Sequence, residues 1–172
     1  MILRCTGKLL DLLAIRVASL ATASPSDDDW YASLLWFDRR KCLLPVHAGT
    51  LFSTFAADVR KSDLTPIGSA VVKLIEHELR RENLPPNTFG ELDAGSVTVA
   101  KTASRVVLGY MNEMARFCEN AMADSGGLRR FDLRSFNHEL RRELHLSRQP
   151  PGYIVPIDLA RGQPRGSRAL DE

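Results

Sequence analysis

The sequence predicts one α+β domain, a small and mostly antiparallel sheet packed against three or four helices. Three observations predict it. Between residues 30 and 59, short apolar runs rich in aromatic residues are separated by short polar connections, as in closely linked antiparallel strands. Two later segments carry apolar residues at spacings of three and four, the pattern of helices with one buried face. The chain has 172 residues, 44% apolar and 26% charged. That is the size and composition of one soluble domain with a core large enough to need no staples.

Each element has its own signal. MILRCT reads as a short strand broken at Gly7, and Lys8 to Ile15 as a short helix with Leu9, Leu10, Leu12 and Leu13 inward. Ala18 to Asp29 is small, polar and acidic, a loop. Trp30 to Phe37 is apolar on both faces, as in a strand buried from two sides. Cys42 to Val46 is its partner, Pro45 marking an end or an edge. Asp38, Arg39, Arg40 and Lys41 form the turn between them, and Leu51 to Val59 suits a third strand.

Thr65 is placed to cap a helix with Pro66 at its first position. Ile67, Ala70, Val71, Leu74, Ile75 and Leu79 then form one stripe, closed by Pro85-Pro86. Gly90 to Gly95 is a turn-rich loop, followed by a strand over Val97 to Lys101. The longest helix runs from Ser104 to Ala123, with Val106, Val107, Tyr110, Met111, Met114, Phe117, Cys118 and Ala121 inward. Ser125-Gly126-Gly127 stops it. A last helix covers Asp132 to Leu144. The domain is expected to span residues 1–146. Residues 147–172, rich in Pro, Gly and Arg, read as a disordered or loosely docked tail. Its apolar piece, Tyr153 to Leu159, is suited to dock on the core or on a protein partner.

Composition narrows the function classes. A net charge of +2 argues neither for nor against a polyanion partner. Residues 129–172 are mildly basic, with nine arginines, no lysine and six carboxylates. Three cysteines without a CxxC pair argue against a disulfide framework or a zinc site, and fit a reducing cytoplasm. Lys8, Asp11 and Arg16 cut the N-terminal apolar stretch into pieces too short for a signal core. No apolar run approaches a membrane span, so no membrane partner is expected.

Several motifs fail on inspection. HELRRE occurs at residues 77–82 and again at 138–143. It begins like the HExxH zinc motif, but Arg81 and Arg142 stand where the second His must be. The repeat reads as shared helix-surface composition, with Glu and Arg spaced for favourable pairs. Asp27-Asp28-Asp29 lacks the spaced ligands and glycine turn of a calcium loop and reads as solvated. No nucleophile elbow, phosphate loop or dinucleotide fingerprint is present. No metal site and no cofactor is expected.

Two features survive. The basic triplet Arg39, Arg40 and Lys41 sits between two apolar strands. It is either the wet tip of a hairpin or a site. Lys101-Thr102-Ala103-Ser104-Arg105 lies at a strand-to-helix junction, where free backbone N–H groups attract anions. Thr102 or Ser104 is equally suited to a plain capping role. Arg105, Gly109, Asn112 and Arg116 continue as one polar helical stripe, on which Gly109 permits close approach.

At these residues the sequence resembles a family of small uncharacterised bacterial proteins, classed as a domain of unknown function. Related domains occur with plasmid- or transposon-associated reading frames. The resemblance rests on Cys5, Thr6, Lys8, Leu9 and Leu10, then on Trp30, Ala32, Leu34, Arg39, Arg40 and Lys41. It ends with Lys101, Thr102, Arg105, Gly109 and Asn112. It covers roughly residues 1–145. Ser33 departs from the family's Asn. The resemblance implies no activity, but its polar positions fall on the two surviving features.

The expectation is therefore a binding module whose anion site is built from Arg39, Arg40, Lys41, Lys101, Thr102, Arg105 and Asn112. Nucleic-acid or nucleotide phosphate is its ligand. Arginine supplies forked hydrogen bonds there and lysine a point charge. Two alternatives stay open. One is an enzyme acting on a phosphorylated or nucleotide substrate, with Asp38 or Glu113 as its base. The other is a protein–protein interaction module that recruits its partner through the C-terminal tail.

Overall fold

The computed structural model describes residues 1–148 and 151–162. In chain order the elements are β1 (Ile2–Cys5), α1 (Gly7–Leu13), β2 (Trp30–Phe37), β3 (Arg40–His47), α2 (Ile67–Arg81) and β4 (Thr98–Lys101). Then come α3 (Arg105–Asp124), α4 (Leu133–Leu140), β5 (His145–Arg148), β6 (Pro151–Ile154) and α5 (Pro156–Ala160). This is the α+β class that the sequence predicts. Among the described residues no helix is long and apolar enough to cross a membrane.

The main sheet has the order β3-β2-β1-β4. Its antiparallel part is the β2–β3 hairpin, with eight register pairs from Trp30↔His47 to Phe37↔Arg40. β1 lies in the middle and runs parallel to both neighbours, Cys5 facing Ala32 on one side and Lys101 on the other. The parallel pairs need crossovers, and the chain supplies them through α1 between β1 and β2 and through α2 between β3 and β4, both packed in one core.

Side-chain alternation along β2 divides the interior in two. Trp30, Ala32 and Leu34 join Leu3, Cys5, Leu9, Val71, Ile75 and Ile157 in one core, beneath α1, α2 and α5. Tyr31 joins Cys42, Leu44, Val46, Met111, Met114, Phe136 and Leu140 in the other, beneath α3 and α4. This explains why β2 reads as apolar on both faces. A buried aliphatic side chain stabilises the fold by about 1.5–3 kcal/mol.

Local differences from the sequence reading have simple causes. The hairpin turn is two residues, not four. Asp38 and Arg39 both take positive φ, 48° and 60°, as a tight two-residue hairpin loop requires. Arg40 and Lys41 are already paired strand residues. Residues 51–59 do not form a continuous strand. They follow the β3 edge through separate contacts, Leu43 N–H to Ala56 O at 2.8 Å and Val59 N–H to Lys41 O at 2.8 Å. Asn137 completes that edge. Its amide accepts from Phe55 N–H at 2.7 Å and donates to Phe55 O at 2.8 Å. Ser104 caps α3 as proposed, accepting from Val107 N–H at 3.3 Å. Pro66, rather than Thr65, stands at the N-cap of α2. Val106, expected inward, is exposed, and α4 ends at Leu140 rather than at Leu144.

The two HELRRE copies do more than coat helix surfaces. Arg141 and Arg142, of the second copy, reach the carboxylates of the first. Arg141 Nη2 lies 2.7 Å from Glu78 Oε2 and 2.8 Å from Glu82 Oε1, and Arg142 Nη2 lies 2.6 Å from Glu82 Oε2. Arg141, Glu78 and Glu82 are buried, so one copy neutralises the other across an interior helix contact.

Part of the segment expected as a tail is packed. Ile154, Val155 and Ile157 are buried, and Ile157 N–H bonds to Arg141 O at 3.0 Å. Tyr153 is exposed. The rest of that expectation, at residues 149–150 and 163–172, lies outside the described residues.

Candidate functional site at the ends of β1 and β4

Cys5 and Lys101 are register partners at the carboxyl ends of two adjacent parallel strands. Beyond them the chain leaves in opposite directions. After β1 it enters α1, whose Leu9 and Leu10 pack in the first core. After β4 it enters α3, whose Val107 and Tyr110 pack in the second. The two segments thus part to opposite faces of the sheet at adjacent strand ends. Parallel sheets characteristically bind ligands at such a point.

Several contacts fix the backbone around these strand ends. Thr6 N–H continues the ladder to Ala32 O at 3.0 Å. Tyr31 reaches from β2 to accept a bond from Ser104 N–H at 3.2 Å. Arg4, buried on β1, pairs with Asp29 and donates to Ala23 O and Ser24 O, both at 2.9 Å. It also donates to Lys101 O at 3.2 Å. One guanidinium thus ties the acidic loop, β1 and the last residue of β4 together. No sequence signal separated Arg4 from an ordinary strand residue.

Several polar groups around these strand ends are left without partners among the described residues. Lys8, Lys101 and Arg105 are exposed, and none has an ion-pair partner among the described residues. Thr6 Oγ1 is buried and has no hydrogen-bond partner among the described residues. Thr102 lies between Lys101 and the Ser104 cap, at the start of α3. The α3 stripe of Arg105, Gly109, Asn112 and Arg116 is exposed along its length. A Cβ added at Gly109 would meet nothing within 4 Å. The Cys5 thiol, buried in the first core, is pushed by burial up to about 12. It stays protonated at neutral pH and is no nucleophile.

Arg39, Arg40 and Lys41 are elsewhere. α3 begins beside Tyr31, through Ser104, and is followed by Leu128, whose N–H bonds to Asp38 at 2.7 Å. The helix therefore separates the two basic groups by on the order of 20–30 Å, from its rise and that of β2. Charges that far apart are screened from one another at physiological salt. The two features do not meet in one site. Arg40 is also committed locally, with Nη1 at 2.9 and 2.7 Å from the two carboxylate oxygens of Asp58. Asp38, a candidate base in the enzyme reading, is the acceptor for Leu128 N–H. Glu113 is exposed on α3. Among the described residues, no group of three or more His, Cys, Asp or Glu side chains is placed to hold a metal.

A family model described as a domain of unknown function, DUF6933, matches residues 2–159. The chain belongs to the DUF6933 family. The DUF6933 match takes in β1 through most of α5, so the packed C-terminal segment lies within the family's span. No curated protein and no solved structure matches the chain.

Proposed function

We propose that this DUF6933 domain is a binding module for a phosphate-bearing ligand, a nucleotide or a nucleic-acid phosphate, held in the crevice between the β1–α1 and β4–α3 loops. One observation carries the reading. Cys5 and Lys101 are side by side in parallel strands whose following helices pack on opposite faces, and the cations Lys8, Lys101 and Arg105 there have no partner carboxylate among the described residues. Lys101 and Arg105 would meet the phosphate oxygens, with the first N–H groups of α3 and the Thr102 hydroxyl as neutral donors. Asn112 and Arg116 would contact whatever extends along α3.

Binding is favoured over catalysis here because the nearest ionisable groups are otherwise engaged. Cys5 is held protonated and Asp29 is paired with Arg4. A cytoplasmic setting is part of the proposal and is supported by three buried free cysteines.

The test is equilibrium binding of ATP, of inorganic pyrophosphate and of a short labelled RNA at two salt concentrations. A Lys101→Ala, Arg105→Ala variant should bind at least about tenfold more weakly, since charge-assisted contacts are each worth about 1.5–3 kcal/mol. A folded variant that binds all three like the wild type overturns the crevice reading.

A further inference from the structure

The opposite end of α3 carries a second surface that the crevice does not use. Along β2, Trp30, Ala32 and Leu34 bury their side chains in the core beneath α1 and α2. Trp36 continues the same side of the strand but is 53% exposed. It makes no ring contact with another aromatic side chain among the described residues. Its cross-strand partner Lys41 places Nζ 4.8 Å from the ring centroid. Arg39, at the turn, is exposed and has no ion-pair partner among the described residues.

The tip does not need this pair to hold its shape. Asp38 is fastened to Leu128 N–H, and Arg40 to Asp58. Both nearby carboxylates are thereby engaged. Arg129 and Arg130 follow directly on Leu128, both exposed and without ion pairs among the described residues. The tip thus holds two cations without ion-pair partners among the described residues, Arg39 and Lys41, at one open aromatic ring, while Arg40 and the Leu128 segment lie toward the other face of the hairpin.

We propose that the β2–β3 tip is a stacking platform for single-stranded nucleic acid, with a base on the Trp36 ring and the flanking phosphates on Arg39 and Lys41. The charge selects a polyanion. The exposed ring selects one whose bases are unpaired, because a duplex hides its base faces. The fixed two-residue turn keeps ring and cations in one geometry. The platform stands apart from the crevice and does not rest on it.

Tryptophan fluorescence tests it directly, because Trp30 is fully buried and Trp36 is not. A twelve-nucleotide oligothymidylate should quench the Trp36 emission, with Trp36→Phe supplying the Trp30 background. Trp36→Leu, checked by thermal melting, should bind roughly tenfold more weakly with the same salt dependence, as loss of one stacked base predicts. Arg39→Gln with Lys41→Gln should flatten the slope of log K against log salt by roughly 1.4, two phosphate contacts. Binding without a change in Trp36 emission would overturn the proposal. So would a folded Trp36→Leu variant that binds like the wild type, or equal affinity for a twelve-base-pair duplex. Absence of oligothymidylate binding by the wild type at low salt would also overturn it and return the surface to a protein partner.

Discussion

Arg4 donates to the carbonyl of Lys101 at 3.2 Å while its Nε pairs with Asp29, so a buried cation on the central strand sets where the proposed ligand-binding lysine leaves the sheet. Replacing Arg4 with Met would strand the Asp29 carboxylate in the interior. Breaking a buried pair on one side costs about 3–5 kcal/mol. Urea denaturation should show a loss of that order. Arg4→Met combined with Asp29→Asn should recover part of it, because the stranded charge is gone.

The interlocked HELRRE copies make an acid-sensitive element. Burial opposes ionisation of Glu82, but hydrogen bonds from Arg142 and Arg141, with their charges, outweigh it and bring its carboxyl down to about 2. A depressed folded pKa gives stability that is complete above the unfolded value near 4.5 and fades as pH falls toward 2. The size is about 3 kcal/mol. Glu82→Gln should remove this part of the acid limb, read by chemical denaturation between pH 5 and pH 2.

His47 and His145 act at milder acidity. Burial pushes both imidazoles down to about 4, with Asp28, Asp27 and Asp29 pulling His47 partly back. Both are neutral in the fold at neutral pH. His145 Nε2 sits 3.2 Å from the Tyr110 hydroxyl, and His47 Nδ1 sits 3.0 Å from Thr50 Oγ1. Their contribution is complete above the unfolded value near 6.5, is lost as pH falls from there to about 4, and is level below that. His145→Gln should flatten the stability profile in that window while leaving the Glu82 window below it unchanged.

The hairpin latch predicts an ordered series at one position. Asp38 needs positive φ and an oxygen acceptor for Leu128 N–H. Asn supplies both, so Asp38→Asn should be close to neutral. Asp38→Ala supplies neither and should cost about 1–3 kcal/mol. Gly127, at φ 100°, faces the same carboxylate, and an added Cβ would lie 2.8 Å from Asp38 Oδ2. Gly127→Ala should therefore destabilise as well, measured by the shift in thermal midpoint.

What the sequence made legible were features with a local cause. The β2–β3 hairpin, the stripe of α2 and the Ser104-capped α3 each follow from periodicity or capping within about 20 residues. Strand order does not. Nothing local to Ile2–Cys5 or Thr98–Lys101 says that they lie side by side and parallel, nearly a hundred residues apart. The same limit split the candidate site. Arg39, Arg40 and Lys41 are joined to Lys101 and Arg105 in the sequence reading by shared charge and by the family resemblance, whereas the length of α3 keeps them at opposite ends. The HELRRE repeat was visible as letters. Its role was not, because helical spacing reports which face a residue occupies and not what covers that face.

The crevice reading is tested most directly by following backbone amide resonances of the isotopically labelled domain as ATP or pyrophosphate is added. The largest, saturable shifts should cluster at Thr6, Gly7 and Thr102 through Val107, and vanish in the Lys101→Ala, Arg105→Ala variant. Saturable shifts confined to other surfaces, or none at millimolar ligand and low salt, would contradict it.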